Sequence, residues 1–235
     1  MPNLSGLIQR PWFSRVLPFF IYMVFIAIEG LNTYLAKLFP SLSPIAEYDQ
    51  YIFYPLKIVL ISIVLVIFWR GYSELRDRPG ILDILLSVAS GAAVFVIWIN
   101  LDFPFATAGS VEGFNPYIHM SGTAVWALIA VRLLGASIVV PLFEELFWRS
   151  FILRYIIDND FMGVPIGAFT WVSFIVASIF FGLEHHMWLA GIVAGAAYTL
   201  LLYRTKKLLC PIISHGVTNL LLGIYVLQTG NWHFW

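Results

Sequence analysis

Three short clusters of ionisable and amide side chains interrupt the apolar sequence in the C-terminal half of the chain. They read Glu144-Glu145-Leu-Phe-Trp-Arg149, Phe181-Gly-Leu-Glu184-His185-His186 and His215-Gly-Val-Thr-Asn219. Polar residues are costly inside a bilayer, so those within apolar segments are default candidates for function. Together the clusters supply a carboxylate base, imidazoles and hydrogen-bond donors for an oxyanion. This is the inventory needed to hydrolyse an amide with activated water.

The two carboxylates of the first cluster have different neighbours. Adjacent residues on a helix point about 100° apart, whereas Glu145 and Arg149 are four residues apart and can form an ion pair on one face. Glu144 is left without a local cation, which suits a general base that takes a proton from water. An interfacial charge cluster that ends the helix near the cytoplasm explains this cluster equally well when it is taken alone.

The other two clusters add imidazoles and an amide. Glu184, His185 and His186 end an apolar segment, and taken alone they fit a short external turn somewhat better than a functional site. His215 and Asn219 are four residues apart, so on a helix they face the same way. Both can donate hydrogen bonds to a developing oxyanion, and for this pair interhelical hydrogen bonding is the weaker alternative.

Apolar segments of membrane-spanning length position the three clusters. A helix needs about 20 apolar residues to cross a bilayer, and seven segments qualify approximately: 17–38, 51–69, 81–101, 123–156, 166–184, 187–203 and 208–228. With 60% hydrophobic and 11% charged residues, the chain has too few polar side chains to cover a water-exposed surface. We therefore predict an all-α fold, a polytopic membrane helical bundle of seven to eight transmembrane helices. It forms a single integral membrane domain over 1–235, with N-terminal helices over 1–101 and a functional core over 123–228.

Basic residues predict how this bundle lies in the membrane. Arg or Lys precedes the first span and occurs between the second and third and between the sixth and seventh, while loops 39–50 and 102–122 contain neither. The positive-inside rule then places the N-terminus in the cytoplasm and the C-terminus outside. The formal charge of zero gives no indication of a nucleic-acid partner. The expected partners are the lipid bilayer and a substrate within it.

The three clusters resemble the motifs of the CAAX prenyl endopeptidase type II family, also called the CPBP or abortive-infection intramembrane proteases. The family carries Glu-Glu-x-x-x-Arg, Phe-x-x-x-His and His-x-x-x-Asn in the order found here, and the resemblance covers about residues 123–228. In length and layout the chain is also similar to the CAAX-protease-related proteins that accompany bacterial exosortases, and a bacterial inner membrane is expected. The chain departs from the family pattern at Ser150, where glycine is usual, and at Glu184, where a small residue is usual.

The resemblance implies an intramembrane endopeptidase that hydrolyses a peptide bond in a membrane-associated protein or peptide. It implies that Glu144 and His185 activate water, and that His215 and Asn219 stabilise the oxyanion. Supporting positions are Glu145, Arg149 and Phe181, and alternatives are His186 for His185 and Glu184 as an additional polar member.

No cofactor is expected, although a zinc ion held by Glu144, His185 and His215 with an open water position is the other possibility. Two further classes of function remain open. One is proton or ion conduction through a relay of glutamate and histidine, and the other is a non-catalytic membrane scaffold that binds peptide tails.

The hydrolase hypothesis makes a geometric prediction. Side chains of Glu144, His185, His215 and Asn219 should converge on one cavity within the membrane, because each would otherwise be a desolvated polar group in hydrocarbon. Counting along the helices places His185 near the outer end of its span. Convergence therefore requires either that the turn at 184–188 dips into the protein, which is tolerated where irregular backbone lines a polar cavity, or that the fifth span is tilted and begins outside the hydrocarbon.

Overall fold

The computed structural model describes residues 4–109 and 113–235, and within these ranges it contains helices and loops but no strand. The helices are α1 (Leu4–Ile8), α2 (Pro11–Leu38), α3 (Ser43–Phe68), α4 (Ile81–Asn100), α5 (Thr123–Leu134), α6 (Val140–Glu145), α7 (Leu153–Tyr155), α8 (Trp171–Leu183), α9 (Trp188–Thr205) and α10 (Leu209–Thr229). Short 3₁₀ turns lie at Pro40–Leu42, Trp69–Gly71, Ser73–Leu75, Pro104–Ala106 and Trp232–Phe234. The predicted all-α class is confirmed.

Each predicted span corresponds to a helix. Among the described residues, five helices are long and apolar enough to cross a membrane, namely α2, α3, α4, the continuous helix Thr123–Tyr155 and α10. The other two predicted segments are α8, an apolar helix of 13 residues, and α9, of 18 residues. The chain is an integral, multi-pass membrane protein, and the predicted helical bundle is confirmed.

Helix boundaries differ from the apolar segments where local chemistry starts a helix. The first span begins at Pro11 rather than residue 17, because proline fits the first turn of a helix, where its missing N–H is not needed. The fifth begins at Trp171 rather than residue 166, because the Thr170 hydroxyl caps α8 by accepting a hydrogen bond from the backbone N–H of Ser173 at 3.1 Å.

The helix Thr123–Tyr155 is continuous through Pro141. Two π-helical stretches, Gly135–Val139 and Leu146–Ile152, flank α6 and connect it to α5 and α7. The wider π turn accommodates the missing N–H of Pro141, and such turns are frequent at functional sites. Both glutamates of the first cluster lie at the end of α6, between the two π stretches.

Glycines let the helices around the long helix approach closely. On α4, a side chain at Gly91 would collide with the Ser214 carbonyl of α10. A Cβ at Gly182 of α8 would lie 2.6 Å from the Ile192 backbone nitrogen of α9. On α9, Gly191 and Gly195 lie against α8, and their lack of side chains lets the two helices pack closely. The site is thus framed by tightly packed backbones.

The loops collect at the two ends of the bundle. The end that contains Arg15, the 69–80 loop, the 156–170 loop and the 206–208 turn is called here the Arg15 end. The opposite end contains the described residues of the 101–122 loop, the turn between α8 and α9, and the C-terminal segment after α10, and is called the Trp235 end.

Candidate active site

Glu145 and Arg149 form the ion pair that their spacing predicted, buried in the middle of the bundle. Arg149 Nη1 donates to Glu145 Oε1 at 3.0 Å, and both side chains are almost inaccessible to solvent. Arg149 Nη2 donates to the Gly195 carbonyl of α9 at 3.0 Å, and its guanidinium lies 4.2 Å from the ring centroid of Phe181 on α8. The pair therefore ties the long helix to α8 and α9.

Glu144 points away from this pair and faces a cavity. It is buried, it has no cation within ion-pair distance among the described residues except His215, and its Oε2 accepts no hydrogen bond from them. The nearest titratable nitrogen is His215 Nε2, 3.9 Å from Oε2, which is too long for a direct hydrogen bond. A buried carboxylate oxygen without a protein donor is available to a bound water or substrate.

His185 lies inside the protein because the turn between α8 and α9 folds inward. Its Nδ1 lies 2.7 Å from the Phe181 carbonyl oxygen. A carbonyl only accepts, so Nδ1 carries the hydrogen and Nε2 keeps a lone pair. The 104–109 segment covers the turn, because the Ala108 carbonyl meets His186 Nδ1 at 2.6 Å and the Ala108 N–H donates to the His186 carbonyl at 2.9 Å. Of the two arrangements that would allow convergence, the structure contains the inward turn.

Glu184 joins Glu144 and His185 in one compact group. Its Oε1 accepts a hydrogen bond from the indole N–H of Trp148 at 3.0 Å, while its Oε2 is buried without a partner in the described chain. One carboxylate oxygen of each glutamate and one ring nitrogen of His185 lie within 4.8 Å of one another. This spacing allows a single water to contact two or three of these atoms at hydrogen-bond distance. We call these three residues the Glu144 group.

His215 and Asn219 of α10 stand beside the group on a fixed scaffold. His215 Nδ1 lies 3.0 Å from Glu145 Oε1, and its ring stacks on Tyr198 with centroids 4.9 Å apart. Asn219 donates one amide hydrogen to the Ala136 carbonyl, in a π-helical stretch, at 2.8 Å. The second amide hydrogen and the His215 Nε2 atom are the groups left to contact a substrate.

One cavity of about 400 Å³ connects these side chains. Its wall includes all four residues that were predicted to converge, together with the alternatives Glu184 and His186. His186 lies at the wall with its Nδ1 already engaged by Ala108, whereas His185 belongs to the Glu144 group. The geometry thus favours His185 over His186, and the catalytic roles stay a prediction.

Two residues that support the cavity were not singled out from sequence: Trp148 anchors Glu184, and Tyr198 stacks on His215. Arg132, whose charge within an apolar segment made it a weaker candidate from the sequence, lies in the cavity wall. Trp148 lies inside the first motif, yet 36 residues separate it from Glu184. No local sequence pattern predicts a contact between residues so far apart in the chain.

The residues that could hold a metal differ from the predicted zinc set. Among the described residues, Glu184 and not His215 completes the set of close ligand atoms with Glu144 and His185. Two unpartnered carboxylate oxygens and an imidazole nitrogen have the chemistry to bind a divalent cation. Catalytic zinc sites usually use at least two histidines, or two cysteines with one histidine, so two carboxylates with one histidine is an atypical zinc set.

Comparison with known protein families matches residues 124–221 to Type II CAAX prenyl endopeptidase Rce1-like. The matched range begins in α5 and ends in α10, so it contains all three clusters and the cavity residues between them. Comparisons with curated proteins and with solved structures give no match. The family resemblance carried by the three motifs is confirmed, and the exosortase-associated subgroup stays a prediction.

Proposed function

We propose that this chain, which carries a type II CAAX prenyl endopeptidase Rce1-like domain over residues 124–221, is an intramembrane endopeptidase that cleaves a membrane-associated protein or peptide. The observation that carries the proposal is the Glu144 group, in which one oxygen of each carboxylate lies within 4.8 Å of an imidazole nitrogen. Each of the two carboxylates also has a buried Oε2 atom without a partner among the described residues. Such a group suits a water molecule that must lose a proton as it attacks a carbonyl carbon.

Water activation falls to Glu144 and His185. Glu144 Oε2 accepts a proton from the bound water, and the lone pair on His185 Nε2 holds the same water in place. The oxygen of the water then bonds to the carbonyl carbon of the substrate. The carbonyl oxygen becomes the oxyanion of a tetrahedral intermediate.

Oxyanion stabilisation falls to His215 and Asn219. The free amide hydrogen of Asn219 can donate directly, and its other hydrogen bond, to Ala136, fixes its direction. His215 donates through Nε2 when its ring carries both protons, and Glu145 on Nδ1 stabilises that form.

Glu184 is the proposed carrier of the departing proton. One of its carboxylate oxygens lies within 4.8 Å of a Glu144 carboxylate oxygen, and its Oε2 has no partner among the described residues. The proton taken from water can therefore pass to Glu184 and on to the leaving nitrogen. The C–N bond then breaks, and the products are a carboxylic acid and an amine. Trp148 holds Glu184 in place for this transfer.

We further propose that this chemistry proceeds without a metal, since the close group combines two carboxylates with a single histidine, which is an atypical zinc set. A divalent cation bound by Glu144, Glu184 and His185 would supply a more acidic water and a Lewis acid. Activity that survives a strong chelator in detergent-purified protein is the expected result. Activity lost to the chelator and restored by zinc would contradict it.

The proposed setting is a bacterial inner membrane with the Arg15 end in the cytoplasm and the Trp235 end outside. Basic residues concentrate at the Arg15 end, which is where the positive-inside rule expects the cytoplasm. The substrate is a polypeptide embedded in or attached to the same membrane, because the cavity lies among membrane-spanning helices.

The test is a comparison of purified wild-type protein with Glu144→Gln and Glu184→Gln in lipid nanodiscs containing bacterial membrane polypeptides. New peptide N-termini are identified by mass spectrometry. Glu144→Gln should reduce turnover by at least about 10²-fold, because the amide keeps the shape but cannot accept the proton of water. Glu184→Gln should reduce it less, because the proton can leave by another route.

Glu47→Gln is the matched control, since it makes the same change at an exposed carboxylate on α3. Near-native turnover in Glu144→Gln would remove Glu144 as the base. Absence of cleavage by the wild type, together with proton flux across vesicles that depends on Glu144, would favour the relay function instead.

A further inference from the structure

Arg132 of α5 stands in the wall of the same cavity, and the described residues give it no acidic partner. No carboxylate of the described residues lies within 4.0 Å of its guanidinium. Its Nε is buried and has no hydrogen-bond partner in the described part of the chain. Arg132 is half-buried, and removing a permanently charged guanidinium from water without a counter-ion is costly. The cavity therefore contains a cation whose neutralising group the described residues do not supply.

Two ionic residues near Arg132 are paired with each other. Glu29 of α2 forms an ion pair with Lys57 of α3 at 3.1 Å. Lys57 is absent from the cavity wall, whereas Arg132 lines it. Arg132 thus presents to the cavity a positive charge that no carboxylate of the described residues compensates.

Aromatic rings from three separate segments hold the guanidinium in place. Its central carbon lies 4.4 Å from the ring centroid of Phe114, 4.7 Å from that of Tyr54 and 5.2 Å from that of Trp235. Aromatic faces stabilise a cation without neutralising it. They also leave the edge of the guanidinium, with its N–H groups, available to an anion.

The backbone fixes this arrangement. The Phe114 N–H donates to the Trp235 carbonyl oxygen at 3.1 Å. Gly113 packs directly on the Trp232 carbonyl with φ of 74°, so a side chain at this position has neither the space nor the favoured conformation. The rings of Phe114 and Trp235 are consequently held together, and the site is preorganised.

We propose that Arg132 binds a carboxylate of the peptide substrate and so positions the peptide bond to be cut, an inference that rests on the proposed function. A guanidinium pairs with a carboxylate through two parallel hydrogen bonds, a geometry that specifies both charge and orientation. The carboxylate is either the C-terminal group of the substrate or the side chain of an aspartate or glutamate.

Helix geometry sets the spacing between this site and the Glu144 group. Arg132 and Glu144 are 12 residues apart on one continuous helix, so their backbones are separated by about 18 Å along its axis. An extended peptide covers that length in about five residues. The reach of the two side chains shortens the requirement, and the scissile bond should lie within about five residues of the bound carboxylate.

The test measures binding and cleavage of three fluorescent decapeptides that differ only in their carboxylates. One ends in a free carboxylate, one ends in an amide, and one ends in an amide but carries a glutamate four residues from its end. Binding is measured by fluorescence polarisation to Glu144→Gln protein, which holds the peptides without cutting them, and cleavage is measured with the wild type.

If the site binds a C-terminal carboxylate, the peptide with the free end should bind about tenfold or more tightly than the plain amide; if it binds a side chain, the peptide with the glutamate should do so. Arg132→Gln should remove that preference. In cleavage the same loss should appear as a raised KM with a smaller change in kcat. Arg132→Lys keeps the positive charge but lacks the two parallel N–H donors of the guanidinium, so it should retain part of the preference. Retained binding in this variant also shows that a substitution at position 132 leaves the protein folded. Arg76→Gln makes the same charge change at an exposed position far from the cavity and should have no effect.

The outcomes separate the two proposals. Equal binding of the three peptides, no binding of any, or a preference that survives Arg132→Gln would overturn the carboxylate site even if cleavage occurs. Arg132-dependent binding without cleavage by the wild type would support the site and defeat the protease function. If Arg132→Gln instead changed only the response to anionic phospholipid vesicles, Arg132 would be a lipid contact and the inference would fail.

Discussion

Single residues in the site divide into those that hold its shape and those that are free to react. Glu145 is fully buried, and its Oε1 is the meeting point of Arg149 and His215, each at 3.0 Å. Glu144 is its neighbour in the chain, yet its Oε2 meets no donor among the described residues. The same residue type therefore has a structural role at one position and a proposed catalytic role at the next.

Glu145→Gln should lower stability much more than Glu144→Gln. The substitution leaves Arg149 buried without its counter-ion, and breaking a buried pair from one side costs about 3–5 kcal/mol. Glu144 has no such partner, so its substitution should cost less than about 1 kcal/mol. Thermal unfolding in detergent checks both values. A Glu145→Gln variant that unfolds at the wild-type temperature would show that Arg149 is stabilised by Gly195 and Phe181 instead.

At the level of elements, the contact between α8 and α9 decides where His185 lies. The two helices approach so closely at Gly182 that the short turn between them is drawn into the bundle. The Ala108 segment then covers it through two hydrogen bonds with His186. The separation of these two helices therefore controls the position of the imidazole in the Glu144 group.

Gly182→Ala should reduce cleavage at least tenfold while the protein stays folded, because a Cβ there lies 2.6 Å from the Ile192 nitrogen and 2.7 Å from the Trp188 oxygen and must push α9 away. A misplacement of about 1 Å can cost about 10²-fold in rate. Gly30→Ala on α2 is the matched control, since nothing lies within 4 Å of the added carbon. Equal activity of the two variants, measured on the same peptides, would show that the turn is positioned by other contacts.

Across the whole molecule, a buried ionic network joins distant parts of the chain at the Arg15 end. Glu74, in the loop before α4, accepts hydrogen bonds from Arg15 of α2 at 2.7 Å and from the Ser150 hydroxyl of the long helix. Arg154 donates to the same hydroxyl at 2.8 Å and to the Val164 carbonyl. Ser150, which replaces the family's usual glycine, thus connects two cations to one carboxylate.

The network predicts a loss of stability in acid. Burial alone would raise the pKa of Glu74. The hydrogen bonds and charge of Arg15, together with the Ser150 hydroxyl, lower the pKa by more than burial raises it, so the net pKa is below its usual value. A carboxyl group whose pKa is depressed by folding stabilises the protein above its unfolded pKa of about 4.3, and that contribution is lost as pH falls through the folded value. Unfolding temperatures measured from pH 7 to pH 3 should fall steeply below about pH 4.3. The Glu74→Gln variant should unfold at a lower temperature at neutral pH, and its unfolding temperature should fall less as the pH is lowered. If its unfolding temperature falls as steeply in acid as that of the wild type, other carboxylates cause the loss of stability.

Orientation is also a property of the whole molecule and can be tested with single cysteines. The chain's one natural cysteine, Cys210, is fully buried and gives little background. Arg76→Cys marks the Arg15 end, and Ile118→Cys marks the exposed surface of the Trp235 end. A membrane-impermeant maleimide applied to intact cells should label position 118 and leave position 76 unmodified. The reverse pattern would invert the proposed topology.

The sequence by itself determined those features that depend on neighbouring residues along the chain. Apolar runs of span length specified the helices, because crossing a bilayer is a local requirement of about 20 residues. Spacing of four residues specified the Glu145–Arg149 pair and the shared face of His215 and Asn219, because helix geometry repeats over short distances. The motif order then indicated the family.

Only the tertiary structure decided which side chains meet across helices. Glu184 joins Glu144 because Trp148 holds it, and His215 turns to Glu145 from 70 residues away. Arg132 gains its aromatic surroundings from α3, residue 114 and the C-terminal segment. These contacts depend on how closely helices pack and where turns fold inward. Glycine contacts and long-range hydrogen bonds set that packing, and no local pattern in the sequence records it.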